Sequence, residues 1–403
     1  MTRTPVPFAS FVGLLLAACQ GGGSGPATTT AGPAVAATSG SGGTTSAGAS
    51  TSSTGTTTSS TGTTTGQLQG YVDTLAGGSY GSNCKSSDAG YFSPLQVAIG
   101  PAGSLYATME GPLYQIAPDG GITVLLTDEE AVQVMGGDGA RGIAVGLSGS
   151  ILLAPGGDIF RLTGTTLSFF AGNASGECYD TASGMDGGVG FLDAQAMTVD
   201  SVGNVFVADN GSFKESDPHG CTRIQKVAPD GTITTVAGNG FSGFADGPPD
   251  VAAFFDPNGI AVDQAGYLYV ADTSNNRIRK IAPDGTTSTL AGNGNRGFDD
   301  GTGGPNGTAT FNNPIQVAVD AAGFVYVTDG LNNSVRQVAP DGTTTTVAGN
   351  GQGGFFDGTL GKNGTTQFNE PYGIAVNPQG DTIYVADGAN CRVRVIHLTG
   401  AGQ

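Results

Sequence analysis

Four aspartates recur at matching places in the sequence, each directly after a short run of β-forming residues. They are Asp209, Asp272, Asp329 and Asp387, which end the segments VFVAD, LYVAD, VYVTD and IYVAD. Such carboxylates could bind a divalent cation if they converged on one point. An aspartate at a strand end also accepts backbone N–H groups from the hairpin that follows it, and members of separate repeats lie too far apart to share one ion. We therefore expect a structural role for this set.

Side chains suited to nucleophilic or zinc chemistry are scarce. The chain has two histidines, His219 and His397, and five cysteines. Two histidines almost exclude a three-histidine zinc site, and no Ser-His-Asp or Cys-His constellation can be argued from these residues. The sequence therefore predicts no catalytic residue of these classes.

Composition argues against two classes of partner. The chain contains 71 glycines in 403 residues, and its 33 acidic residues outnumber its 15 lysines and arginines, for a formal net charge of -18. A basic surface that could neutralise phosphates is hard to build from so few cations, and attraction to an anionic membrane surface fails for the same reason. The glycine excess is typical of turns. We expect no nucleic-acid partner.

The N-terminal residues have the pattern of an export signal. Arg3 precedes an apolar run over residues 8–16, and two alanines then lead to Cys19. The run is too short to span a bilayer as a mature helix. The segment resembles a bacterial lipoprotein signal, which implies removal of residues 1–18 and lipidation of Cys19. Because Gln20 follows the cysteine, the resemblance implies sorting to the outer membrane, on its periplasmic or surface side.

A tether is predicted between this anchor and the rest of the chain. Residues 20–66 contain no charged residue and consist mainly of glycine, serine, threonine, alanine and proline. Such a segment cannot bury enough apolar surface to offset its ordering entropy. We expect residues 19–66 to be a disordered tether and residues 67–403 to form the folded domain.

The folded domain repeats a unit of four predicted strands. In the clearest unit GIAVD, YLYVAD, NNRIRKI and TTSTLAG follow one another over residues 259–292, separated by turn residues such as Pro283-Asp284-Gly285. Six such units occur, and their first strands contain Val97, Ile143, Met197, Ile260, Val317 and Ile374. Six four-stranded units without helical periodicity predict an all-β fold, the six-bladed β-propeller.

The succession of GIAVD, YVAD, NNRIRKI, PDG and AGNG resembles the NHL repeat over residues 71–403. Units 4 to 6 carry the resemblance most fully, whereas units 1 and 2 have Met109 and Pro155 where the others have aspartate. YVDTLAG at residues 71–77 matches the fourth strand of the other units, and no such strand follows residues 392–396. We therefore expect the N-terminal strand to complete the last blade and close the ring.

Ligand sites of propellers generally lie where the innermost strands begin, at the mouth of the central channel. The residues there, one per blade, are Leu95, Arg141, Gln195, Asn258, Ile315 and Tyr372. A repeated scaffold tolerates one residue type at equivalent positions, so a mixed set indicates ligand specificity. We predict binding roles for Arg141, Gln195, Asn258 and Tyr372, with solvated turn residues as the alternative. The residues just before them that could ring the same mouth are Asp193, Asp256, Asn313 and Glu370.

Four cysteines remain after Cys19, and they allow three pairings. The loop after the strand that closes blade 6 contains Cys84, and a hairpin of the same blade contains Cys391. Cys178 follows the outer strand of blade 2, and Cys221 lies in a hairpin of blade 3. We therefore expect the disulfides Cys84–Cys391 and Cys178–Cys221, as suits an exported protein.

Two functions are compatible with these residues. The first is a non-catalytic binding or scaffold module, without cofactor and monomeric, that holds a protein or glycan partner. The alternative is a metal-dependent enzyme, because six-bladed propellers of the gluconolactonase and streptogramin-lyase types place a divalent ion in the channel. In that alternative Asp256, Asn258 and Glu370 would hold Ca²⁺ or another divalent cation at the channel mouth.

Overall fold

The computed structural model arranges the chain as six four-stranded antiparallel sheets, the blades of a propeller. It describes residues 69–77, 85–86, 90–91, 95–108, 112–127, 129–131, 140–172, 190–211 and 222–399. The expected signal, tether and Cys19 lie outside the described residues, as do Cys84, Cys178, Cys221 and His219. Among the described residues, no helix is long and apolar enough to cross a membrane.

Each blade consists of short strands that follow one another along the chain. From the innermost strand outwards, the strands of blade 1 are Gln96–Ile99, Leu105–Thr108, Leu113–Ile116 and Ile122–Leu126. The strands of blade 2 are Gly142–Val145, Ile151–Ala154, Asp158–Thr163 and Thr166–Gly172. The strands of blade 3 are Ala194–Val199, Val205–Asp209, Thr222–Val227 and Ile233–Gly240. The strands of blade 4 are Pro257–Val262, Leu268–Asp272, Arg277–Ile281 and Thr287–Ala291. The strands of blade 5 are Pro314–Val319, Val325–Asp329, Ser334–Val338 and Thr344–Ala348.

Blade 6 is built from both ends of the domain, as the sequence predicts. Its first three strands are Pro371–Val376, Thr382–Asp387 and Arg392–Thr399, and its outermost strand is the N-terminal Gln69–Gly77. The ring of Tyr71 stacks on His397, with centroids 4.7 Å apart, where these two strands pair. Hydrogen bonds between the first and last strands therefore close the ring and remove an open edge.

A few short elements accompany the blades. A separate two-stranded pair is formed by Lys85–Ser86 and Gly90–Tyr91. Single-turn 3₁₀ helices lie at Pro101–Gly103, Thr273–Asn275, Gly330–Asn332 and Gly388–Asn390. The last three occupy the hairpin between the second and third strands of blades 4 to 6, so they repeat with the scaffold.

The hydrophobic core lies between neighbouring blades. Between blades 4 and 5, for example, Ile278 packs in one cluster with Val317 and Val325. The loops that enter blades 4 to 6 each add one phenylalanine with no exposed surface, and these are Phe254, Phe311 and Phe368. Because each blade buries a face against the next, the innermost strands are fixed around a common axis.

Three arginines with no exposed surface tie blades 4 to 6 to the loops that enter them. In blade 4, Arg279 lies 2.6 Å from Asp272 and 2.7 Å from Asp246, which belongs to the GFADG loop at residues 243–247. The same arrangement recurs in blade 5 with Arg336, Asp329 and Asp300, and in blade 6 with Arg394, Asp387 and Asp357. A buried charge of this kind is tolerated because it is paired and hydrogen-bonded.

The expected structural role of the strand-end aspartates is confirmed in these blades, although the donors differ from those predicted. Oδ1 of Asp272 accepts the backbone N–H of Phe255, at 2.7 Å, and its carboxylate also accepts the amide of Asn275. Phe255 belongs to the loop that enters the blade and not to the following hairpin. Each aspartate therefore joins the end of the second strand to the start of the first.

A candidate binding site at the channel mouth

The predicted mouth residues occupy equivalent places in the six blades. Arg141 and Asn258 each come one residue before a glycine, Gly142 or Gly259, that pairs with the second strand opposite an alanine. In blade 1, Leu95 likewise comes one residue before Gln96, which pairs with the second strand opposite Thr108. The innermost strands of neighbouring blades contact one another all around the ring. The positions predicted from sequence therefore lie at one level of the channel.

An ion pair joins blades 2 and 3 at this mouth. Nη1 of Arg141 donates to the carboxylate of Asp193, at 3.2 Å from Oδ2. The amide of Gln195 donates to the same Oδ2, at 2.6 Å. The Arg141 side chain keeps 29% and the Asp193 side chain 19% of its surface exposed. This cluster is sheltered enough to be ordered and open enough for a ligand to reach it.

A second polar cluster joins blades 3 and 4. One carboxylate oxygen of Asp256 accepts the side-chain amide of Asn210, and the other accepts the hydroxyl of Ser274, at 3.1 Å. Asp256 has a φ of 62°, and the equivalent residues in blades 5 and 6, Asn313 and Glu370, have φ values of 61° and 52°. This left-handed conformation is costly for residues other than glycine. Because it recurs in three blades, it belongs to the scaffold that presents these side chains.

Tyr372 of blade 6 faces the residues of both clusters. Burial raises the pKa of the Tyr372 hydroxyl, Arg141 opposes that rise, and the carboxylates of Asp256 and Asp193 add to it. These three residues come from the other side of the channel mouth, in blades 2 to 4. The hydroxyl therefore stays protonated at neutral pH and is available as a donor.

Glu370 precedes Tyr372 by two residues and contributes an acid to the same region. It is half-buried, and burial raises the pKa of its carboxyl group. Leu95 and Ile315 hold the equivalent positions in blades 1 and 5, where Ile315 is buried. The mouth thus presents donors and acceptors side by side.

Two glutamines one residue deeper cross the channel axis, and sequence analysis did not identify them. The amide of Gln316 in blade 5 donates to Oε1 of Gln96 in blade 1, at 2.9 Å, and its own oxygen accepts the backbone N–H of Ile260 in blade 4. Both glutamines are buried. At Gly373, an added Cβ would lie 2.7 Å from Cα of Gln96. The bridge therefore forms a floor beneath the mouth, and glycine leaves room for it.

The floor has a signal in the sequence. At this position the other four blades have glycine or alanine: Gly142, Ala196, Gly259 and Gly373. Two large amides among four small residues break the repeat in the same way as the mouth residues do. A comparison of this position across the six units would have identified them.

The residues of the metal alternative come from two blades, since Asp256 and Asn258 belong to blade 4. Both carboxylate oxygens of Asp256 are engaged by Asn210 and Ser274, and Glu370 belongs to blade 6. Among the described residues, no three acidic, histidine or cysteine side chains come close enough to hold one metal ion. His397 lies far out in blade 6, against Tyr71.

The repeated blades and this mouth define a six-bladed β-propeller. The family model of the NHL repeat matches residues 254–281 and 368–396, which cover the first three strands of blades 4 and 6. These two segments therefore match the NHL repeat, in agreement with the resemblance of the sequence.

Known proteins similar to this chain share only part of their length with it. It is 33% identical over 176 residues to the Arabidopsis thaliana protein SUPPRESSOR OF QUENCHING 1, chloroplastic, a match that covers 42% of this chain and 16% of that protein. It is 31% identical over 164 residues to NHL repeat-containing protein 2 of Bos taurus, covering 37% of this chain and 22% of that protein. The matched segments thus span about a fifth of these relatives.

Among solved structures, the chain is similar to an auxiliary nutrient binding protein from Bacteroides thetaiotaomicron. The TM-score is 0.60 at 17% sequence identity, and the match covers 82% of this chain and 77% of that protein. At this level of identity, the likeness establishes the fold alone.

Proposed function

We propose that this chain is an exported, lipid-anchored propeller that acts as a non-catalytic binding or scaffold module and holds a protein or glycan partner at the channel mouth. The contrast between a uniform scaffold and a varied mouth carries the proposal. The buried arginine and its two aspartates repeat in blades 4 to 6. By contrast, the mouth positions hold different polar residues, namely Arg141, Gln195, Asn258 and Tyr372. Repetition serves the fold, and departure from it at one face suits a ligand.

The chemistry of the mouth suits a partner rich in hydroxyl or amide groups. Arg141, Gln195 and Tyr372 offer donors, while Asp193 and Asp256 offer acceptors beside them. The net charge of -18 favours a neutral or cationic partner through long-range attraction. Neutral oligosaccharides and cationic peptides meet both conditions.

Anchoring is the second part of the proposal. It rests on the lipoprotein-like sequence that ends in Cys19 and on the uncharged segment that follows. A tether at residues 19–66 would hold the propeller away from the membrane and leave the channel mouth free to meet a partner. The Bacteroides protein named as nutrient-binding shares this fold, which makes a binding role chemically reasonable for a propeller of this shape.

A binding screen with matched variants tests the proposal. The full-length protein is screened against neutral oligosaccharides and a library of cationic peptides. Binding should be lost in Arg141→Gln and in Tyr372→Phe but kept in Arg161→Gln, because Arg161 stacks on Phe170 in blade 2, away from the mouth. Hits that bind all three variants equally would contradict a site at the mouth. Metal-dependent lactone hydrolysis that disappears in Glu370→Gln would replace the binding function by the enzymatic one.

A further inference from the structure

Blade 3 has the strand-end aspartate of blades 4 to 6 but lacks their buried arginine. Asp209 ends its second strand just as Asp272 does in blade 4. Arg279 lies opposite Val270 on the neighbouring strand, and in blade 3 the residue opposite the equivalent Val207 is Gln225. A neutral amide therefore occupies the place of a guanidinium.

The carboxylate of Asp209 nevertheless accepts backbone hydrogen bonds, as the strand-end aspartates of blades 4 to 6 do. It is 1% exposed, and its Oδ1 accepts the backbone N–H groups of Leu192 and Asp193, at 3.0 and 2.9 Å. In blade 4 the corresponding Oδ1 accepts a backbone N–H as well, while Oδ2 receives the arginine. The same placement in blade 3 would turn Oδ2 of Asp209 towards Gln225, which holds the arginine position.

The side-chain amide at that position belongs to Gln225, and its oxygen is the next feature of this site. Oε1 of Gln225 is buried and accepts no hydrogen bond within the described part of the chain. A buried acceptor without a donor costs free energy, and so does a buried carboxylate without a cation. One proton placed between the two groups would satisfy both.

We infer that Asp209 holds a proton in the folded protein at mildly acidic pH, up to about neutrality, and donates it from Oδ2 to Oε1 of Gln225. The proton takes the place that the arginine has in blades 4 to 6. Oδ1 continues to accept its two backbone N–H groups, so the entry to blade 3 keeps its geometry.

The electrostatics around Asp209 agree with this assignment. Desolvation raises the pKa of Asp209 to about 7, backbone hydrogen bonds oppose that rise, Asp193 adds to it, and Arg223 on the third strand lowers it. Asp193 and Arg223 are the charged groups that face Asp209 among the residues described. The hairpin 212–221 lies outside them. The arginine-paired Asp329 and Asp387 have their pKa raised less, to about 6, in spite of similar burial.

The mouth would respond to this proton. Asp193, whose N–H is bound by Asp209, is also the acid that pairs with Arg141 and Gln195. Loss of the proton adds a negative charge directly behind that cluster, so a cationic ligand should bind more tightly above the midpoint of the titration. This consequence rests on the proposed function, whereas the protonation itself does not.

Titration of the ligand-free protein tests the protonation directly. In full-length protein labelled with ¹³C at its aspartate carboxyls, Asp209 should titrate near neutrality. Gln225→Arg should pair the carboxylate and weaken proton binding about tenfold, which is one unit of pKa and would bring Asp209 to the level of the arginine-paired Asp329 and Asp387. A wild-type midpoint below about 5, or a midpoint that Gln225→Arg leaves unchanged, would overturn the inference whether or not a ligand is ever found.

A second pair of variants covers the case in which Gln225→Arg does not fold. Asp209→Asn mimics the protonated acid, because its amide can donate to Gln225 while its oxygen accepts the two N–H groups. Since the folded state binds the proton more tightly than the unfolded one, wild-type stability should fall as the pH rises from about 4 to about 7. Asp209→Asn should lessen this fall, and Asp329→Asn, which breaks a pair with Arg336, should destabilise the protein at pH 7. Equal losses in both variants at pH 7 would refute the proton bridge.

Discussion

Arg141 of blade 2 lies 3.2 Å from the carboxylate of Asp193, which stands at the entry to blade 3. The backbone of Asp193 is fixed by a hydrogen bond, since its N–H donates to the buried carboxylate of Asp209. The charged pair at the mouth is therefore attached to the scaffold through the same kind of strand-end aspartate that organises blades 4 to 6. Asp193 therefore joins the candidate site to the scaffold.

Replacing Arg336 with alanine should destabilise the propeller by about 3–5 kcal/mol, because it leaves the buried carboxylate of Asp329 without its cation. The free energy of unfolding in urea measures the loss. Arg161→Ala is the matched control, since that guanidinium stacks on Phe170 in a more open position, and it should cost less than about 1 kcal/mol. A loss below about 1 kcal/mol for Arg336→Ala would show that the buried pair does not support the blade.

The disulfides should be found as Cys84–Cys391 and Cys178–Cys221. Cys391 is disulfide-bonded and buried at the hairpin of blade 6, and the other cysteines lie outside the described residues. A bond to Cys84 would link the two ends of the domain, so Cys391→Ser should lower stability by about 2–4 kcal/mol. Peptide mapping without reduction identifies the pairs. A Cys84–Cys178 peptide would contradict both the pairing and the assignment of these loops to blades.

Cys19→Ala should release the protein from the membrane fraction. The expectation follows from the lipoprotein-like signal, in which Cys19 carries the lipid. Fractionation followed by immunoblotting of the two forms measures the distribution. A variant that remains membrane-bound without Cys19 would show that another feature anchors the chain.

The fold could be predicted from the sequence because its signals are local. Alternating apolar residues mark each strand, and Gly, Pro and Asp mark the turns between them. The N-terminal strand could be placed in blade 6 because 71–77 matches a piece that the last unit lacks. Local patterns of this kind do not depend on how the blades pack.

The buried arginines could not be predicted in the same way. In NNRIRKI, Arg279 lies two residues after Arg277 and next to Lys280, and such a basic segment is typical of solvent-facing positions. Its burial arises only when the GFADG loop folds over the blade and brings Asp246 to it. Charged residues are buried when a distant segment supplies the partner, and that distance is not visible in a local pattern.

The mouth was predictable in position but not in its contacts. The register of the blades gives the level at which Arg141 and Tyr372 lie, whereas the pairing of Arg141 with Asp193 depends on how two blades meet. The glutamine bridge beneath them joins Gln96 to Gln316, which come from blades 1 and 5. Such contacts across the axis exist only in the closed ring.

The most direct test of a binding site at the channel mouth is the affinity of one identified oligosaccharide or peptide for the wild type, Arg141→Gln and Arg161→Gln, measured by titration calorimetry. Loss of a charged hydrogen bond at the site should weaken binding by about 1.5–3 kcal/mol, or roughly 10- to 150-fold, in Arg141→Gln alone. If Arg141→Gln binds as tightly as the wild type, or if Arg161→Gln weakens binding equally, the ligand is held elsewhere and the proposed site is wrong.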